Sequence, residues 1–356
     1  MSESEIETLP FLTPDLPGIG GQLKQTPEDF VVDEIPVYEP TGAGEHLFLW
    51  IEKRDVSAPY LVKNLARILQ INPRDIGVAG LKDRFAVTRQ YVSVPAACEP
   101  LVETFEFTGI QILKATRHEN KLKTGHLKGN RFSIIVRDTE DNAFDKAQAI
   151  QEQIAQTGFP NYYGAQRMGR DNETFDMGLK LLQGKRVPGK YMRNKALKRL
   201  ALSAVQSALF NRALANRILA GQQQTVQMGD VMQVCASGGL FIVEDVAAEQ
   251  QRFDQEETMI TGPLFGPKMK QPTQETSAQE QQVLNDFGLE PDLFNRYKKL
   301  TAGTRRPYLI RPEALQLEPT ENGVRFEFTL PSGVYATMLL REFMKTELAG
   351  DTTETS

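Results

Sequence analysis

Alternation of apolar and polar positions predicts strands in the first part of the chain. Residues 30–35 alternate so that Phe30 and Val32 face the same side of a strand. Residues 46–51 and 91–94 are rich in the β-branched, apolar and aromatic residues that strands favour. The pattern therefore predicts at least three strands before position 100.

Two segments change to helical spacing. The first begins near Ser57, its N-cap, and ends before Asn72-Pro73. The second ends at Gly158. Their apolar stripes are Leu61, Leu65, Ile68 and Leu69 in the first, and Phe144, Ala147, Ile150 and Ile154 in the second.

Further strands are predicted between these helices. Residues 104–107 and 110–113 read as paired strands around Thr108-Gly109, and 129–136 as another strand. Because helices alternate here with hairpins, we predict an α+β fold with a mixed or antiparallel sheet, and not a purely parallel one.

The second half of the chain is mainly helical. After a composition break at 158–170, residues 174–183 and 191–220 have strong helical periodicity. Short strands are predicted at 231–234 and 240–243. This stretch is predicted to be a second, largely helical α/β unit.

The chain then returns to a strand pattern. Residues 324–328 alternate, and the turn 331–333 leads into 334–342, which we also interpret as strand. Such strands cannot stand alone, so we expect them to join the first sheet. The predicted division is one discontinuous domain, residues 1–157 with 306–350, an insertion at 158–305, and an acidic polar tail at 351–356.

Composition narrows the possible functions. The two cysteines, Cys98 and Cys235, are far apart, and the three histidines lack metal-ligand spacing. The N-terminus is polar and acidic, unlike a signal peptide, and the apolar runs are too short to span a bilayer. We therefore predict a cytoplasmic protein without a metal site.

Charge is unevenly distributed along the chain. The net charge is −5, yet residues 178–200 contain eight basic residues and no acid, and residues 114–131 form a second basic cluster. Basic faces on an acidic protein are typical of contact with nucleic acid. The residues predicted to contact phosphates of a nucleic acid are Lys185, Arg186, Lys190 and Arg193 in the first cluster, and Lys121 and Lys123 in the second.

One carboxylate stands between two cations in Lys82-Asp83-Arg84, shortly after Gly80. Opposite charges keep an acid ionised even when it is partly desolvated, and an ionised carboxylate can act as a nucleophile. A solvated turn with a structural ion network is the alternative interpretation.

Residues 80–90, GLKDRFAVTRQ, closely resemble the GxKD(R/K)xAxTxQ signature of the TruD family of tRNA pseudouridine synthases. Four more segments resemble motifs of that family, in the family's order: TPEDF at 26–30, KGNRF at 128–132, PNYYGAQRMG at 160–169 and LPSGVYAT at 330–337. The likeness extends from about residue 18 to 346. It implies a pseudouridine-synthase-type sheet domain carrying an insertion domain.

The resemblance also implies roles for single residues. Asp83 would be the nucleophile and Lys24 its ion-pair partner. Phe30, Phe132 and Tyr335 would line the uridine pocket, with Asn130 against the nucleotide. Tyr335 stands where the family usually has Phe, and Met168 replaces another usual Phe.

The implied activity is isomerisation of uridine to pseudouridine in tRNA, at position 13, without cofactor. Attack on ribose C1′ or on base C6 remains open, and a monomer is the expected oligomeric state. Two alternatives are a catalytically silent RNA-binding or chaperone protein on the same fold, and a glycosidic hydrolase that pairs Glu28 with Asp83.

Overall fold

The computed structural model describes residues 9–346, so the predicted tail at 351–356 lies outside the described residues. Two compact units divide this range. The sheet unit comprises residues 17–151 and 312–336, and the helical unit comprises residues 9–16, 152–311 and 337–346. The predicted domain boundaries themselves stay a prediction.

The strands of the described range are numbered in chain order. They are β1 (Gly20–Gln22), β2 (Phe30–Pro36), β3 (His46–Arg54), β4 (Gly77–Val78), β5 (Val87–Pro95), β6 (Ile110–His118), β7 (Leu127–Thr139), β8 (Phe159–Pro160), β9 (Val231–Val234), β10 (Leu240–Ile242), β11 (Thr258–Leu264), β12 (Thr304–Pro307), β13 (Leu309–Ile310), β14 (Glu313–Thr320) and β15 (Gly323–Pro331).

The α-helices are numbered in the same way. They are α1 (Ala58–Ile68), α2 (Glu99–Glu103), α3 (Ala143–Thr157), α4 (Glu173–Leu182), α5 (Gly189–Arg193), α6 (Lys195–Leu219), α7 (Val246–Asp254), α8 (Gln274–Asp286) and α9 (Ala336–Met344). No helix in residues 9–346 is long and apolar enough to cross a membrane.

A large mixed sheet forms the sheet unit. Its strand order is β14-β15-β7-β2-β5-β3-β6, with β1 added to β7 and β4 added to β5. The β2–β5 pair is parallel and the other pairs are antiparallel. This confirms the predicted α+β class with a mixed sheet, and β15 joins β7 as expected for residues 324–328.

Helix α1 covers part of this sheet. The Ser57 side chain accepts a hydrogen bond from the Tyr60 amide at 3.4 Å, which caps the helix where the sequence predicts its start. Leu61 and Leu65 are fully buried in one cluster with strand residues such as Leu49. Each such side chain contributes about 1.5–3 kcal/mol through burial.

Two strand predictions are wrong. Residues 104–107 do not form a hairpin strand, because only a single bridge joins Phe107 to Ile110 and β6 pairs with β3. Residues 336–344 form helix α9, since Ala336, Leu339 and Phe343 recur at helical spacing and are all buried. Tyr335 therefore precedes a helix and does not lie on a strand.

Helix α6 is the centre of the helical unit. It packs with α4, α5 and α8, and a four-stranded antiparallel sheet of order β10-β9-β11-β12 belongs to the same unit. Buried ion pairs link its elements: Arg217 with Asp230 at 2.6 Å, and Arg305 with Glu280 at 2.6 Å. Desolvation raises the pKa of Glu280, while Arg305 opposes that shift.

Candidate active site

Asp83 lies in an irregular segment between β4 and β5. Side-chain contacts hold this segment in place. Lys82 turns inward and pairs with Glu34 of β2 at 3.0 Å, and both side chains are buried. Arg84 turns outward and pairs with Asp55 at 3.3 Å. The two cations beside Asp83 in the sequence therefore anchor its segment to neighbouring elements.

Lys24 is the cation that reaches the Asp83 carboxylate. Its Nζ lies 3.5 Å from Oδ2, with the lysine side chain 11% exposed and the aspartate side chain 45% exposed. The acid is thus open to an incoming ligand while its cation is mostly shielded from water.

Lys24 also has an unusual backbone. Its φ of +58° lies in the left-handed region, which costs a non-glycine residue about 1–2 kcal/mol. Strain of this kind collects at functional sites, where the surrounding structure must enforce it. The fold therefore accepts a strained residue at the position that carries the ammonium to Asp83.

A tight turn leads from Lys24 to Phe30. Thr26 and Asp29 form a capping box around the single 3-10 turn Pro27–Asp29. The fully buried Asp29 carboxylate accepts two hydrogen bonds from Arg137, at 2.6 and 2.9 Å. Burial alone would raise the pKa of Asp29, but Arg137 and the Thr26 amide together hold it below the ordinary value of 3.8.

We expect Asp29→Asn to lower the thermal midpoint at pH 7 by about 2–4 °C, because Arg137 loses a charged acceptor. The depressed pKa means that this stabilisation is present above pH 3.8 and is lost as the pH falls below it. Thermal unfolding at pH 7 and pH 3 measures the difference. Asp145→Asn on the exposed face of α3 is the control, and equal midpoints for both variants at pH 7 would contradict this role.

Aromatic rings stand next to the Lys24–Asp83 pair. The Lys24 ammonium lies 4.6 Å from the centroid of the Phe30 ring. Phe30 meets Phe132 edge-on at 6.3 Å, and Phe132 stacks on Phe328 of β15 at 5.3 Å. Phe328 was not among the predicted pocket residues, because only the pairing of β15 with β7 brings it to Phe132.

Asn130 lies on β7 two residues before Phe132. Pairing on both sides aligns it with Glu34 of β2 and Leu330 of β15. Its Oδ1 is buried and has no hydrogen-bond partner within residues 9–346. An unsatisfied buried acceptor is costly, so this oxygen is suited to receive a donor from a ligand.

Tyr335 is brought to the same end of the sheet. Pro331 pairs with Gly129, and the Ser332 amide donates to the Lys128 carbonyl at 3.1 Å. The half-buried Tyr335 follows this turn directly. The turn therefore places Tyr335 near the start of β7, where Asn130 lies.

The buried pair behind Asp83 is not evident from the sequence. Glu34 Oε1 accepts from the Tyr91 amide at 3.3 Å, and Oε2 faces Lys82. Desolvation raises the pKa of Glu34, while the charge and hydrogen bond of Lys82 oppose that shift. Removing either partner would leave the other buried and unmatched, so the pair fixes the segment that carries Asp83.

The basic segment 121–126 lies beside the Asp83 segment. Leu122 is buried with Ala79, and the Gly125 amide donates to the Ala79 carbonyl at 2.8 Å. This anchoring leaves Lys123 exposed, while Lys121 is half-buried and donates to the Arg74 carbonyl. Two of the predicted RNA-docking residues are therefore tied to the strand leading to Asp83.

The other predicted RNA-docking residues lie in the helical unit, within or just before α5, and all four are exposed. Lys190 makes a loose pair with Glu173 at 4.0 Å. Met192 is 53% exposed among these cations. The four residues are Lys185, Arg186, Lys190 and Arg193.

Known proteins match this chain over nearly its whole length. The family described as tRNA pseudouridine synthase D (TruD) matches residues 7–187 and 191–343. A tRNA pseudouridine synthase D from Anaeromyxobacter dehalogenans is 43% identical over 341 residues, covering 95% of this chain and 97% of the relative. One from Thermus thermophilus is 41% identical over 342 residues, covering 96% of this chain and 93% of the relative.

A solved structure matches the fold. The crystal structure from Methanosarcina mazei reported under the name tRNA pseudouridine synthase D (TruD) has a TM-score of 0.77 and 26% identity, covering 97% of this chain and 98% of that one. The matched family, its relatives and this fold define the class of protein, the tRNA pseudouridine synthases. Within this class the chain belongs to the TruD family, which confirms the resemblance seen in the sequence.

Proposed function

We propose that this protein isomerises uridine to pseudouridine in tRNA, at position 13, with Asp83 as the nucleophile. The observation that carries the proposal is the contact of the half-exposed Asp83 carboxylate with Lys24, whose ammonium also touches the Phe30 ring. Membership in the TruD family and the tRNA pseudouridine synthases among its relatives support the same activity.

The target uridine must leave its base stack, because its glycosidic bond is hidden inside folded RNA. Extrusion costs a few kcal/mol, which contacts to the flipped base must offset. Phe30 and Phe132 are buried and would form the floor of the uridine pocket, and the half-buried Tyr335 would supply aromatic surface for the extruded base. Asn130 would supply the buried acceptor Oδ1, which suits the N3–H donor of uracil.

The reaction replaces one bond to the ribose by another. The N1–C1′ bond breaks, uracil rotates, and a C5–C1′ bond forms; C5 loses its proton and N1 finishes protonated. Asp83 would form the covalent intermediate through attack on C1′ or on C6. Formation of the C5–C1′ bond would displace it from C1′, or loss of the C5 proton would expel it from C6. Because substrate and product are isomers, the mass of the RNA does not change.

The two basic clusters would hold the RNA backbone. Lys121 and Lys123 are tied to the strand that leads to Asp83, so they would contact phosphates near the target nucleotide. Lys185, Arg186, Lys190 and Arg193 would contact phosphates elsewhere on the molecule. Such contacts position RNA by its shape and charge more than by its sequence.

The test uses a transcribed, unmodified tRNA and the purified protein. Pseudouridine mapping should show one modified site at position 13, and a transcript with cytidine at that position should stay unmodified. Binding without modification would support the silent RNA-binding alternative. Free uracil with an abasic site would support the hydrolase alternative.

We expect Lys185→Glu combined with Arg186→Glu to raise the Kd for tRNA about tenfold at moderate salt. The slope of log Kd against log salt concentration should fall by the amount that corresponds to the loss of roughly two phosphate contacts. The matched control reverses two exposed charges on α1, Lys63→Glu with Arg67→Glu. Filter binding across a salt series measures both variants. Unchanged affinity in the first double variant would move the docking face elsewhere.

We propose that the protein acts as a cytoplasmic monomer, and that residues 158–305 form the insertion domain whose exposed cations meet the tRNA. Sedimentation of the protein with and without tRNA tests the oligomeric state.

A further inference from the structure

Lys53 is a fully buried cation that contacts the residue proposed as nucleophile. Its side chain lies on β3 with 0% exposure, and its Nζ donates a hydrogen bond to the main-chain carbonyl of Asp83. Lysine is almost never fully buried, because removing the ammonium from water is costly. The fold therefore places a desolvated charge directly against the backbone of Asp83.

The position of Lys53 on its strand is also unusual. Strand alternation puts it in line with Leu49 and Ile51, both fully buried in the apolar cluster under α1. On β5 the buried Thr88 lies opposite Lys53 and the buried Gln90 lies opposite Ile51, so polar side chains replace the apolar cluster at this end of the strand, but neither of them carries a charge. The presence of lysine at this point indicates a task that an apolar side chain cannot perform.

That task follows from how the Asp83 segment is held. Residues 81–83 belong to no strand or helix, so the regular sheet ladder does not fix their backbone. Lys82 is anchored through Glu34 and Arg84 through Asp55, but these contacts fix the neighbours of Asp83. Lys53 is the contact that fixes the main chain of Asp83 itself.

We propose that Lys53 is a positioning residue for the isomerisation, an inference that rests on the proposed function. Lys24 holds the carboxylate end of Asp83 and Lys53 holds its carbonyl end, so the direction of the side chain is set from both sides. A misplacement of about 1 Å can lower a rate by about 100-fold, so a fixed carboxylate benefits the chemical step. Lys53 acts through Asp83 and does not touch the substrate.

The first experiment compares Lys53→Met, Lys53→Arg and the exposed control Lys63→Met in single-turnover pseudouridine formation. We expect Lys53→Met to lower the chemical rate about 10- to 100-fold, with the Kd for tRNA within about twofold of wild type. Lys53→Arg keeps a donor cation and should recover at least part of the rate. The inference would be overturned if the slower rate of Lys53→Met were fully explained by a smaller fraction of folded protein. It would also be overturned if tRNA binding weakened to the same extent as the rate.

A second experiment leaves Lys53 intact. Replacing the peptide bond between Asp83 and residue 84 by an ester makes the Asp83 carbonyl a weaker hydrogen-bond acceptor. Incorporating phenyllactate at position 84 creates this ester. The control is Arg84→Phe, which has the same side chain and an ordinary amide. The ester should be about five- to tenfold slower than its amide control. Equal rates would overturn the inference, even where Lys53→Met does not fold. If the wild-type protein forms no pseudouridine, both the proposed function and this inference are overturned. If the wild-type protein is active and the Lys53 and ester variants are as fast as their controls, only this inference is overturned.

Discussion

Asp83→Asn is expected to lower pseudouridine formation by about 10⁴-fold or more, because the amide cannot form the covalent intermediate. The loss corresponds to about 5.5 kcal/mol of activation free energy. Asparagine has nearly the same shape as aspartate, and the side chain is 45% exposed, so folding should be little affected. Affinity for tRNA should also change little, since phosphate contacts supply most of it.

The matched control is Asp145→Asn. Asp145 is an exposed acid on α3 and belongs to none of the contacts that hold the Asp83 segment. Single-turnover assays on transcribed tRNA at saturating enzyme compare both variants with wild type. The control should stay within a few-fold of wild type. Appreciable turnover by Asp83→Asn would remove Asp83 from the nucleophile role while leaving the fold and the family unaffected.

The residues that meet at the site come from segments far apart in sequence, and several of them stand in segments that resemble family motifs. Lys24 contacts both the Asp83 carboxylate and the Phe30 ring, and Phe30 meets the Phe132 ring edge-on. Each stands in a short segment with a distinctive residue order. The sequence could not show which charge of the Lys82-Asp83-Arg84 triplet faces where, because that depends on the packing of β2 and β3.

Two residues that contact the site were not predicted, Lys53 and Phe328. In the sequence alone, each looks like a common strand residue. Lys53 looks like an exposed charge on an amphipathic strand, since neighbouring Glu52 and Arg54 are charged too. Phe328 looks like a core aromatic. Only the register of β15 on β7 shows that Phe328 stacks on Phe132. Only the burial of Lys53 on β3 shows that it reaches Asp83.

The errors in secondary structure have local causes. Residues 336–344 are so apolar that strand and helix patterns overlap there, and packing of Leu339 and Phe343 in α9 decides between them. Strand β14 was missed because a bulge and a left-handed Ala314 interrupt its alternation. Strand β11 was missed because Pro263 reads as a turn residue.

Lys24→Met is expected to lower the chemical rate about 10³-fold, because the carboxylate would lose the cation that holds its charge and direction. In the free protein this ion pair is partly exposed and contributes little to stability. Bound RNA would cover Asp83 and exclude water, which strengthens the same interaction when the reaction takes place. We therefore expect a large effect on rate together with a small effect on the unfolding free energy.

Two comparisons separate this role from a structural one. Lys24→Arg keeps the charge and should retain more activity than Lys24→Met. Lys24→Gly removes the charge but also relieves the left-handed backbone, so it should fold at least as stably as Lys24→Met and remain as slow. Single-turnover rates and denaturant unfolding give both quantities for each variant. If Lys24→Gly were as active as wild type, the reaction would not need the Lys24 ammonium, and the electrostatic account of the site would fail.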